Sequence, residues 1–216
     1  MTRRLKLEIV LVLAVTFGTS GLRAALRLVD SLLQAPLNQQ STTIHDATSS
    51  VPWLDLALQA TSALTLFAWG GLAWFLLDQR WRWPRWADLW RGAGFAALIG
   101  LPGLAFYVAA VHLGLSKWSF ANGFGEEIVV VMYLVTRLKQ LGWKPWQFIA
   151  ASAVLRGSYH LYQGVSAGFG NIVMGVIFAW YFHKTSRVWP LILAHFFIDA
   201  VAFIAYPLLD LSWLGI

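Results

Sequence analysis

The chain of 216 residues contains no cysteine. That removes a disulfide framework, a thiolate metal site and a cysteine nucleophile from consideration. Charge is scarce as well: only 12% of residues are Asp, Glu, Lys or Arg, against about 25% in a soluble domain. So few charges cannot cover a water-facing surface. Seven Pro and 18 Gly are too few, and a 58% share of hydrophobic residues too high, for a disordered or collagen-like chain. There is no glycine-rich phosphate loop and no HExxH motif. Internal repeats and low-complexity tracts are also missing, so residues 1–216 read as a single transmembrane domain. What the chain does have is apolar runs, and at roughly 20 residues per span its length suits about six to eight of them.

Charges interrupt those runs and mark spans at 7–32, 53–77, 93–114, 121–138, 146–164, 168–183 and 188–209. Backbone amides in lipid must bond within their own segment, and no alternating strand pattern is present. The expected fold is therefore all-α, a polytopic membrane bundle of about seven helices. Pro145 and Pro190 sit where a first-turn proline belongs, and Gly164, Gly168 and Gly170 separate two spans. With the N-terminus cytoplasmic, the inner segments hold Arg3, Arg4 and Lys6; Arg80, Arg82, Arg85 and Arg91; Arg137, Lys139 and Lys144; and Lys184 and Arg187. The outer segments hold only Lys117, which is the positive-inside pattern and puts the C-terminus outside. The basic start before 7–32 has the look of a signal peptide. No small-residue cleavage site follows Gly21, so 7–32 is read as a span. The cell (plasma) membrane is the expected location. The stretch QRWRWPRWADLWR at 79–91 interleaves Trp with Arg and suits an interfacial helix whose guanidiniums meet anionic lipid. Membrane lipids are expected partners; nucleic acid is not.

Ionisable groups at membrane depth cost about 2.5–3.5 kcal/mol each, so each calls for a reason. Glu126 and Glu127 lie inside the fourth span; adjacent helical side chains point about 100° apart, so the two carboxylates take different roles. His160 has Arg156 four residues earlier on the same helical face, beside a polar helix end formed by Ser158, Tyr159, Tyr162 and Gln163. His195 and Asp199 are likewise four apart, with Asp199 near the middle of the last span. His45 reads as a solvated loop residue, His112 and His183 as interfacial, and Asn171 as a structural hydrogen-bonding residue. Counting about 1.5 Å per residue puts Glu126 roughly 8 Å below the outer end of its span and His195 about 10 Å above the inner end of its own. On straight helices these groups stand at different heights.

The order Glu-Glu, then His on the next span, then His-x-x-x-Asp two spans further on resembles the CPBP family of intramembrane proteases. That family includes CAAX prenyl endopeptidases and bacteriocin-immunity (Abi) relatives, and its pattern is EExxxR, FxxxH and HxxxN/D. The resemblance covers roughly 120–205. It implies catalytic roles for Glu126, Glu127, His160, His195 and Asp199. Two positions depart from the pattern: Val131 stands where the family's arginine is expected, and Arg156 where its phenylalanine is expected. Both departures suggest that Arg156 supplies the cation that orients Glu127.

The implied activity is intramembrane endopeptidase chemistry. Glu126 acts as general base toward water, and His160 holds that water or shuttles its proton. His195 hydrogen-bonds the substrate carbonyl, and Asp199 fixes its tautomer. A metalloprotease version with His160, His195 and one glutamate around zinc is equally drawable. The substrate class is a hydrophobic peptide, prenylated or not. The rival readings are a catalytically inactive membrane scaffold or immunity protein and, less favoured because no inverted repeat is present, a proton-coupled transporter.

Overall fold

The computed structural model describes residues 2–34, 49–78, 82–108, 119–161 and 165–200. Regular structure among them is helical throughout. The helices are α1 (Thr2–Val15), α2 (Phe17–Gln34), α3 (Pro52–Leu77), α4 (Trp86–Val108), α5 (Ser119–Glu126), α6 (Leu134–Gln140), α7 (Pro145–His160), α8 (Val165–Thr185) and α9 (Trp189–Ala200), with a π-helical segment, Glu127–Tyr133, joining α5 to α6. Helices α3 and α7 lie close to the expected runs 53–77 and 146–164, whereas α4 starts seven residues before the expected 93 and the run 121–138 is divided by the π segment. His45, Arg80, His112, Lys117, Tyr162 and Gln163 lie outside the described residues.

By length and composition, α3 is the helix among the described residues that can cross a bilayer alone. The run 7–32 was expected to be one span and is instead two helices bent by 54° at a break after Val15. Buried Thr16 explains the bend: its hydroxyl donates to the Val12 carbonyl at 2.7 Å, and its own amide is shared between Val12 and Leu13. Such back-bonding competes with the helical ladder and bends it.

The chain forms two compact units. The first contains α1, α2, the end of α3 from Ala73, and residues 128–186. Here α7 packs on α8 through small residues. A Cβ on Gly175 would lie 2.7 Å from the Ala153 Cα, and one on Gly157 would lie 3.0 Å from the Gly168 carbonyl oxygen. Close approach at small residues is how helices associate where lipid supplies no hydrophobic contrast. At the end of α6 the chain reverses in a left-handed Gly142 (φ 81°), where the Gly142 and Trp143 amides cap the Lys139 and Leu138 carbonyls. Pro145 then opens α7, and the Gln147 side chain accepts the Lys144 amide at 2.8 Å.

An ion pair holds one end of this unit. Glu8 of α1 accepts hydrogen bonds from Arg137 Nε at 2.8 Å and from the Tyr133 hydroxyl at 3.0 Å. Arg137 also donates to the Leu76 carbonyl at 2.5 Å, so one guanidinium joins α1, α6 and the end of α3. The π segment between carries Ile128, Val129, Val130, Val131 and Tyr133 fully buried. Ser152 of α7 donates to the Val130 carbonyl at 2.8 Å.

The second unit contains residues 43–72, 79–127 and 187–216. In it α9 packs on α4 and α5. A Cβ on Gly92 would lie 3.1 Å from the Pro190 carbonyl oxygen, and one on Gly123 would lie 3.0 Å from that of Ile192. On the α3 side, a Cβ on Gly125 would lie 2.9 Å from the Leu66 carbonyl oxygen, and the rings of Phe67 and Phe124 meet at 5.1 Å. Leu56 and Leu64 on α3 point outward, which suits a lipid-facing helix.

Candidate active site

The short helix α5 carries glycine at positions 123 and 125, and both admit a neighbouring backbone: α9 at Gly123 and α3 at Gly125. The residues that follow are Glu126, which ends α5, and Glu127, which opens the π segment. A wide π turn placed at a polar pair in an apolar helix is a common feature of functional sites. Glu126, Glu127 and His195 are all buried, Glu127 completely.

The approach at Gly123 brings His195 of α9 onto the pair. Its Nδ1–H donates to Glu127 Oε1 at 2.7 Å. On the other side of the ring, Nε2 stands 3.7 Å from Asp199 Oδ1, one turn further along α9. That distance is a charge contact and not a hydrogen bond. Glu126 also interacts electrostatically with the imidazole. One histidine is therefore flanked by three carboxylates in the interior of the second unit. The difference in height expected from straight spans does not separate Glu127 from His195, because Gly123 lets α9 settle against α5.

Glu127 makes the hydrogen bond to the imidazole, while the Glu126 contribution to it is electrostatic. His195 Nδ1 is hydrogen-bonded to Glu127, whereas Asp199 stands 3.7 Å from Nε2. Val131, where the resemblance predicts arginine, is wholly buried.

His160 and Arg156 belong to the first unit. His160 ends α7 with its ring 4.7 Å from that of Tyr159. Arg156 is completely buried, its guanidinium 5.5 Å from the centre of the Phe178 ring on α8. Asn171 donates to the Ala167 carbonyl of its own helix at 3.0 Å, a local structural bond rather than a link between helices. His183 meets Phe148 edge-on at 5.1 Å.

A structural pair that the sequence reading missed sits at the start of α4. Asp88 is fully buried; its carboxylate accepts Arg187 Nε at 2.8 Å, a second bond from the same guanidinium, and the Arg85 amide at 2.9 Å. Burial pushes the Asp88 carboxyl up. The Arg187 and Arg85 hydrogen bonds, with the charges of Arg187 and Arg91, outweigh burial and hold it below the ordinary 3.8. Arg187 immediately precedes α9, so this pair anchors the helix that carries His195. The only sequence clue was an acid inside a basic stretch.

No three His, Cys, Asp or Glu side chains stand together in a way that could hold a metal ion among the described residues. Both His195 ring nitrogens face carboxylates, and Nδ1 is engaged by Glu127. The arrangement does not fit a three-ligand zinc site.

No curated protein and no solved structure matches the chain. Residues 116–201 match the family model described as type II CAAX prenyl endopeptidase Rce1-like. That range contains Glu126, Glu127, His160, His195 and Asp199. Residues 116–201 are thus similar to the Rce1-like type II CAAX prenyl endopeptidases, a family of membrane proteases.

Proposed function

We propose that the protein is an intramembrane endopeptidase that hydrolyses a peptide bond in a hydrophobic peptide, prenylated or not. The observation that carries this reading is the buried 2.7 Å hydrogen bond from His195 to Glu127, with Glu126 beside it, inside the Rce1-like segment. Glu126 takes a proton from water, and the resulting hydroxide attacks the scissile carbonyl. The proton then passes to the leaving amine. Glu127 holds the imidazole by Nδ1, which leaves Nε2 to donate to the developing oxyanion. A ring that donates at both nitrogens is an imidazolium, and the Glu127 carboxylate balances its charge. A donor aimed at an oxyanion is typically worth about 3 kcal/mol of barrier. Asp199 faces Nε2 from one turn away and limits how far the ring can swing. The resemblance gives His160 a part in the same reaction.

The proposed setting is a bundle of about seven spans with the N-terminus cytoplasmic, in the plasma membrane. The one-sided distribution of Lys and Arg supports that orientation.

A second reading, a non-catalytic scaffold of the same fold, draws on Val131, which removes the family's arginine from the helix of the glutamates. Cleavage separates the two. The purified protein in detergent is expected to cut a fluorogenic prenylated peptide, and Glu126→Gln to slow the reaction by roughly 10²–10⁴, the range for a general base. Cleavage unaffected by Glu126→Gln would end the proposal, and no cleavage of any hydrophobic peptide would favour the scaffold. Activity lost to a chelator and regained with zinc would show that a metal takes part.

A further inference from the structure

The entry to α4 carries a surface that catalysis does not use. Trp83, Trp86 and Trp90 are 77%, 82% and 73% exposed, and Arg82, Arg85 and Arg91 are exposed among them. Trp86 and Trp90 are four apart on the helix and share a face. Three large indoles left in contact with water would be costly, so this face has a partner that is apolar at one depth and polar at another.

The charge of the patch identifies that partner. The one acid in the segment, Asp88, is fully buried. Its carboxylate is taken up by Arg187 and by the Arg85 amide, and Arg187 supplies the matching positive charge from outside the patch. Arg91 stands 3.8 Å from that same carboxylate, which it shares with Arg187, so one acid faces two guanidiniums and the segment keeps a net positive face. Depth gives a second argument. From Gly92 to Val108, α4 contains no charged residue, so the Arg–Trp segment stands just where an apolar helix would leave the hydrocarbon. Indoles at headgroup level and guanidiniums on phosphates are the interfacial arrangement.

We infer that the Trp83–Arg91 face is a docking surface for anionic phospholipid headgroups, holding phosphatidylglycerol-type lipids in preference to zwitterionic ones. The inference rests on the membrane reading above. It goes beyond that reading in assigning a lipid class to named residues. An arginine at an anionic surface is worth at most about fivefold in lipid affinity.

The test uses the full chain reconstituted in vesicles of phosphatidylcholine or of a phosphatidylcholine–phosphatidylglycerol mixture. Spin-labelled lipids of both classes report which is held at the protein boundary. The expected result is a several-fold preference for phosphatidylglycerol that falls toward none in R82Q/R85Q/R91Q and in high salt. The charge-conserving R82K/R85K/R91K should retain much of it and controls for folding, together with helix content by circular dichroism. A preference that survives the glutamine variant, or one insensitive to salt, overturns the inference. So does a protein that floats with both vesicle types and shows no lipid preference, and that result leaves the membrane reading intact. A chain that fails to float with vesicles would overturn the membrane reading itself, and the inference with it.

Discussion

Replacing Asp88 by asparagine tests the contact that anchors α9. Asparagine keeps the shape of the side chain but removes its charge and turns one oxygen into a donor. That donor then faces either the Arg187 guanidinium or the Arg85 amide, and both of those are donors too. The Arg187 side chain is 13% exposed, so the uncompensated cation is left largely out of water. Breaking a buried pair from one side costs about 3–5 kcal/mol. The residual exposure of Arg187 places the expected loss at the lower end, about 3 kcal/mol, or a little over a hundredfold in the unfolding equilibrium. Unfolding in mixed micelles, followed by circular dichroism, measures it. The pH dependence has a definite sign. Because the folded Asp88 carboxyl lies below its ordinary 3.8, its contribution is fully present above that value and is lost as pH falls through the folded value. The gap between wild type and Asp88→Asn should therefore be flat from roughly pH 5 to 8 and should close only below about pH 4. A loss under about 0.5 kcal/mol, the scatter of ordinary surface changes, would refute the argument. So would a gap that closes near neutral pH.

Two further perturbations probe the site and the orientation of the chain. A Cβ on Gly123 would lie 3.0 Å from the Ile192 carbonyl oxygen and 3.3 Å from the His195 Cβ, so Gly123→Ala should push α9 back. Cleavage should fall roughly tenfold or more through kcat, since small misplacements of reacting groups are costly. An unchanged kcat would mean that the approach of α5 and α9 does not set the site. For topology, a chain with no native cysteine allows single introduced thiols to be read without background. Ser186→Cys should react with an impermeant maleimide only after the cells are opened, and Ser50→Cys in intact cells; the reverse pattern would invert the proposed orientation.

The apolar runs were legible because hydrocarbon imposes a length and a ban on unpaired backbone groups, and α3 from Pro52 to Leu77 matches the run 53–77 closely. Glu126, Glu127, His195 and Asp199 were legible for the same reason, as ionisable groups in those runs. The bend at Thr16 was not, because a threonine hydroxyl bonds to its own backbone in any helix and bends only some of them. Glu8 was missed too: alone it is an acid at the start of a span, and only Arg137 and Tyr133, far along the chain, show its purpose.

Sequence alone determined which residues could do chemistry in an apolar interior, since burial penalties act on each side chain wherever its helix goes. The tertiary structure decided which glutamate holds His195. That choice depends on how closely α9 can approach α5, which the missing side chain at Gly123 and a π turn at Glu127 control, and hydrophobic periodicity carries no record of it.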